Sequence, residues 1–371
     1  IQSCRDLIRR DRNHASVLAW ECSLNESAMP DEFVATLHNT VKQEFPGAYS
    51  AGWQHGYDMY LQARQHRQMH YETPTQPYNV SEYGDWEYYA QNAGFNQDSW
   101  GDLKEEARTS RQLLSHGEAR LLQQARNLQE AHNDNLTTPA YADGYWVMFD
   151  YNRGYANDLE ASGIMSIYRL PKYSYYFYQS QRDAAEQSEK YQSGPMVFIA
   201  SEWQLGSSSK VRVFSNAEEV ELYLNGVLVS RNKPSTDKFS THLPHPPFEF
   251  DVKAFKAGQL VAKAYIAGKE VATHQVTTPD VAASLKLTVD TSGVAAVAVD
   301  LVFVYAEVLD KNGQLVPLNN QTIEFKISGD IEIMNPEPAF TEQGKAAVLV
   351  KLGAEFSKAK LEASSKVLAI K

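Results

Sequence analysis

Apolar and polar positions follow different periods on the two sides of about Tyr191. Before it, short apolar runs alternate with stretches whose apolar residues recur every three to four positions. Five runs read as strands, at 16–23, 48–53, 57–63, 78–84 and 144–151. Helical patterns lie among them. The chain opens on one, "CRDLIRRDRN". Residues 30–45 follow with Phe33, Leu37 and Val41 four apart, and 115–134 form a long run of good helix formers with an acidic start. Strands alternating with helices predict a parallel α/β sheet or barrel over 1–190.

After the boundary the pattern becomes β throughout. Asn225-Gly226 sits between two apolar runs, the strongest short hairpin signal, and Gly258 and Gly268 mark further turns. A sandwich over 195–278 follows. "TTPDVAAS" reads as a linker, and the style repeats with Asn312-Gly313 as a turn, predicting a second sandwich over 284–371.

Composition narrows the function classes. The 371 residues are 43% hydrophobic and 22% charged, with a net charge of -11. Dispersed acidity argues against a nucleic-acid partner. No apolar run approaches the ~20 residues of a membrane span. The two cysteines, Cys4 and Cys22, are too few for a disulfide framework, and Cys22, inside an apolar run, reads as a buried thiol. With no Met at its start, the chain is expected to lack its natural N-terminus. The absence of a leader therefore leaves the compartment open, a periplasmic or secreted site being favoured.

Carboxylates at strand ends carry the candidate chemistry. Glu26 follows the 16–23 run and Glu82 lies near the end of the 78–84 run. Each alone reads as well as a helix cap or ion-pair partner. In a β/α barrel, however, the carboxyl ends of the strands hold the active site. Two carboxylates facing one pocket suit glycoside hydrolysis, one as general acid and one as nucleophile, about 5–5.5 Å apart in retaining enzymes.

"RDRNHASVLAWECSLNES" resembles the acid/base signature of glycoside hydrolase family 2, the β-galactosidase family, matching at Arg12, Asn13, His14, Trp20, Asn25, Glu26 and Ser27. "VSEYG" resembles the family's nucleophile strand, "DMY" at 58–60 the strand whose Tyr approaches the nucleophile, "GYWVMFDYNRG" the eighth strand, and "SGIMSIYRLPKYSYYFYQSQ" the closing segment. The resemblance covers about 1–182. It implies a multidomain protein: strands four to eight of a (β/α)8 TIM barrel, then two immunoglobulin-like β-sandwiches. It further implies a retaining, exo-acting hydrolase working by double displacement, with Glu82 as nucleophile and Glu26 as acid/base. Asn25 would bind the 2-hydroxyl, Tyr60 would hold Glu82 ionised, and Trp146 would floor the sugar site. No cofactor is implied by these residues, although some relatives place magnesium near the acid. The expected partner is a β-linked oligosaccharide, a β-galactoside of agar or porphyran type. β-Glucuronide, β-mannoside and non-catalytic carbohydrate binding are the alternatives. The first half of the barrel is expected from another chain or an absent segment, and the sandwiches could support a homodimer. One departure stands out: "ECSLNE" is one residue longer than the family pattern and lacks its Gly, which predicts a bulge between Trp20 and Asn25.

Overall fold

The structure is a computed structural model that describes residues 1–23, 29–52, 54–65 (62–65 by backbone only), 75–83, 112–152, 159–335, 338–366 and 368. Two compact units result. The first comprises 1–108, 126–148 and 237–243, and the second 109–125, 149–236 and 244–371.

In the first unit the elements are α1 (Gln2–Asp11), β1 (Ala19–Glu21), α2 (Asp31–Glu44), β2 (Ala48–Ser50), β3 (Tyr60–Gln65) and β4 (Tyr78–Tyr83). Next come α3 (Glu118–Asn135), which runs on from the second unit, and β5 (Ala142–Tyr145). Every strand pairing here is parallel: β1 with β2, and β3 with β4 with β5. Backbone bonds from Met59 N to Tyr49 O and from Leu61 N to Gly52 O, each 3.3 Å, join the β2 region to β3. The strands thus lie side by side in chain order. Parallel neighbours need long crossovers, and α2 is the one between β1 and β2.

The period of α2 explains its core face. Val34, Leu37 and Val41 are buried at 3- and 4-residue spacing, while Phe33 is 41% exposed. The strict four-residue stripe drifts around a 3.6-residue helix, so Val34 replaces Phe33 on the inner face. These residues pack with Cys4, Ile8, Trp20 and Tyr49. Arg5 and Arg9 bind Glu44 at 2.8 and 2.7 Å, and Arg12 approaches it at 3.5 Å. The hydrogen bonds from Arg9 and Arg5 hold the Glu44 carboxyl down to about 2. Cys4 and Cys22 share this core as free thiols. Burial, then a hydrogen bond with Cys4, pushes the Cys22 thiol up to about 12.

In the second unit, α4 (Tyr173–Ser180) follows the fully buried Lys172, whose Nζ donates to Asp150 at 2.7 Å and to the Ala161 carbonyl at 2.9 Å. Two all-β modules come after it. Strands Val227–Asn232, Glu219–Leu224, Gln259–Ile266 and Lys269–Thr277 form one sheet, in that order. Phe248–Asp251, Lys210–Ser215 and Val197–Ile199 form another. Both contribute to one core around Trp203, Val213, Leu222, Phe248 and Leu260. The last module repeats the four-plus-three arrangement, with Leu301–Asp310 and Lys345–Leu352 central in the larger sheet and Thr322–Ser328 in the smaller. Asn225 and Gly226 both take positive φ, 53° and 78°, as the two-residue hairpin requires. Among the described residues no helix is long and apolar enough to cross a membrane.

Candidate active site

β4 does not run regularly. Its register advances from Asn79 to Glu82 while β3 advances only from Leu61 to Ala63, and from Val80 to Tyr83 while β5 advances only from Asp143 to Tyr145. β5 therefore meets one extra residue around Ser81–Glu82, which is a β-bulge, whereas against β3 the offset is taken back at once, Gln65 pairing with Tyr83. Burial gives the same answer. Tyr78, Val80 and Tyr83 are buried, whereas Ser81 and Glu82 are both half-buried. A regular strand would put residue 82 on the face of 78 and 80. The bulge hands that face to Tyr83 and releases Glu82 from it, the kind of re-aiming that bulges perform beside active sites.

The strand after Glu82 is pinned. His132 on α3 lies 2.7 Å from Asp143 on β5, and Asn135, three residues on, donates to the same carboxylate oxygen at 3.4 Å. The Tyr83 hydroxyl lies 3.5 Å from His132 Nδ1 and also hydrogen-bonds Asp143. Burial alone would raise the Asp143 carboxyl. The hydrogen bond and charge of His132, with the bonds from Asn135 and Tyr83, hold it below its ordinary value. The Tyr83 ring also meets Tyr145 edge-on at 5.7 Å.

Trp146 is brought next to this point. Its N–H donates to the Tyr83 carbonyl at 2.9 Å, its indole is 38% exposed, and its peptide bond to Val147 is cis. The structure thus places Glu82 and Trp146 at the same end of adjacent strands. Tyr60 is not brought level with them. Its register partner is Tyr78, whereas Glu82 pairs with Ala63, three positions on and about 10 Å at the rise of a strand. Tyr60 is buried and stacks on the exposed ring of His55 at 4.4 Å. Asn25 and Glu26 lie outside the described residues. Of the span between Trp20 and Asn25 where a bulge is expected, Glu21, Cys22 and Ser23 are described and Leu24 is not; β1 pairs without a register shift up to its end at Glu21. No cluster of metal-ligating side chains occurs among the described residues.

Two features escaped the sequence reading. Glu21 ends β1 opposite Ser50, with one carboxyl oxygen buried and without a hydrogen-bond partner. Burial raises its pKa to about 7 against an opposing hydrogen bond from the Gly52 backbone. A carboxylate in an apolar strand was the available signal. The second is the Tyr83–His132–Asp143 contact. Its only trace in the sequence is the 3-residue spacing of His132 and Asn135, which puts them on one helical face.

Glu21 yields a prediction. Its folded pKa lies above the unfolded value of 4.5, so folding takes up a proton between the two. Its stabilising contribution is complete below about 4.5 and is lost as pH rises through about 7. Glu21→Gln removes that loss. Urea titrations should find the variant more stable than the parent at pH 8 by about 1–2 kcal/mol, a figure reduced for its partial exposure. The gap should close below pH 5. A pH-independent difference would contradict the assignment.

Residues 206–272 match a domain of unknown function, DUF4982, and residues 285–371 match the glycoside hydrolase family 2 C-terminal domain 5. The β-galactosidase of Thermoanaerobacter pseudethanolicus is 28% identical, over 94% of this chain and 47% of its own length. Residues 285–371 thus carry a glycoside hydrolase family 2 module, and the chain resembles a β-galactosidase along most of its length. A protein of Formosa agariphila provisionally named a β-glucuronidase is 30% identical over 38% of this chain and 13% of its own. The crystal structure of a β-glycosidase from Bacteroides vulgatus superposes on the whole chain, covering 52% of that structure, at a TM-score of 0.73 and 19% identity. The chain has a multidomain fold and spans about half the length of the curated relatives it matches.

Proposed function

We propose that the protein is a retaining, exo-acting glycoside hydrolase that cleaves β-galactosides, with galactan-derived oligosaccharides of agar or porphyran type as its substrates. Glu82 attacks the anomeric carbon and forms a glycosyl-enzyme. Glu26 protonates the leaving oxygen and then activates water. Asn25 binds the 2-hydroxyl, and Trp146 offers its exposed indole to the sugar face. Tyr60, buried on β3 beneath the His55 ring, is the candidate donor that holds Glu82 ionised. The row of parallel strands is read as strands four to eight of a (β/α)8 barrel over 1–190, and the two β modules as immunoglobulin-like sandwiches over 195–278 and 284–371.

The observation that carries this reading is the bulge that turns Glu82 out of the buried face of β4, beside Trp146. The β-galactosidase relative supports the galactoside, and the β-glucuronidase-named relative supports β-glucuronide as the second reading. A panel of p-nitrophenyl β-galactoside, β-glucuronide and β-mannoside separates them in the full-length protein. The galactoside should lead in kcat/KM by about tenfold or more. A leading glucuronide replaces the substrate. No turnover of any sugar contradicts the hydrolase and favours a binding protein.

A further inference from the structure

We propose that Tyr83, His132 and Asp143 form a positioning set that fixes the bulge of β4 and so aims Glu82. The inference rests on the reading of Glu82 as nucleophile.

A bulge is a local choice of register. The extra residue in β4 could slide one place either way, because the ladder on each side accepts either phase. A slide by one residue would return Glu82 to the face of Val80. Something on each side of the bulge must therefore hold the phase. Upstream, Val80 is fully buried opposite Asp143. Downstream, the Tyr83 side chain is buried and its hydroxyl is bound to that same Asp143. One carboxylate thus sits in register with the residue before the bulge while gripping the side chain after it. Only two residues, Ser81 and Glu82, lie between those fixed points, so the phase is set.

His132 and Asn135 tie this carboxylate to α3. His132 Nδ1, 2.7 Å from Asp143, carries the proton that bond needs. The Tyr83 hydroxyl lies 3.5 Å from that nitrogen, and its bond to the carboxylate is among the causes that lower the Asp143 carboxyl. Three donors from two elements converge on an ionised group of a third, a geometry stiffer than any one bond. None of these residues needs to touch the sugar. They act through the placement of Glu82, where a misplacement of about 1 Å costs on the order of 10²-fold in rate.

The test uses the full-length protein and p-nitrophenyl β-D-galactopyranoside. Asp143→Asn, His132→Ala and Tyr83→Phe should each lower kcat by about 10- to 100-fold with KM unchanged within about twofold. Inactivation by 2,4-dinitrophenyl 2-deoxy-2-fluoro-β-D-galactopyranoside, which reports attack by the nucleophile alone, should slow in proportion. His132→Asn keeps a donor near the Nδ1 position and should recover most of the loss. Circular dichroism melts identify variants that fail to fold, and Tyr83→Phe, which removes one oxygen, decides the matter if the others do. Folded variants with parental kcat overturn the proposal, as does a loss in KM alone. Glu82→Gln is run alongside. If it keeps full activity, the nucleophile reading fails. If it is inactive while the three variants match the parent, only the positioning role fails.

Discussion

Glu82→Ala lowers kcat by about 10⁴-fold or more on every glycoside the enzyme accepts, without altering the thermal melt. The size follows from the step removed. Without the nucleophile no glycosyl-enzyme forms, and residues that act as one catalytic unit lose nearly all their effect together. The fold should survive because Glu82 is half-buried on a bulge, while the neighbouring core residues, Val80 and Tyr83, are left in place. Added azide should restore turnover by entering the space of the lost carboxylate, giving a galactosyl azide of inverted configuration. An Ala variant with parental kcat, or one that melts early and loses activity for that reason, would remove Glu82 from the mechanism.

Glu26→Ala separates substrates by their leaving groups. A general acid matters when the departing oxygen is basic, as in a natural oligosaccharide, and hardly at all when it leaves as dinitrophenolate. The variant should lose about 10²–10⁴-fold in kcat/KM on a natural β-linked disaccharide and under about tenfold on 2,4-dinitrophenyl β-galactoside. Hydrolysis of the glycosyl-enzyme also slows, so the activated substrate should show a burst of dinitrophenol followed by a slow steady rate. Equal losses on both substrates would contradict the acid role.

The hairpins were legible because their chemistry is local. Asn225-Gly226 can take two successive positive φ values at little cost, and it does so in the structure. The helices 30–45 and 115–134 appear as α2 and α3 with shifts of a few residues at their ends, because apolar spacing decides a helix and caps decide its limits. The strand expected at 144–151 is instead β5 at 142–145, since polar Asp143 faces the Tyr83 and His132 side chains and not solvent. In β4, alternation from Tyr78 and Val80 puts Glu82 on the buried face. Nothing in "YNVSEY" shows that an extra residue moves Tyr83 there instead. A bulge depends on what the neighbouring strands and α3 offer, and those on α3 and β5 are 49 or more residues away in the chain. The same limit hid Glu21, whose raised pKa comes from burial that the sequence does not display.

Covalent trapping tests the double-displacement assignment most directly. The full-length protein is inactivated with 2,4-dinitrophenyl 2-deoxy-2-fluoro-β-D-galactopyranoside, digested at low pH and mapped by tandem mass spectrometry. One fluorogalactosyl group should be found on the peptide that contains "YNVSEY", carried by Glu82. A label on any other residue would contradict Glu82 as the nucleophile.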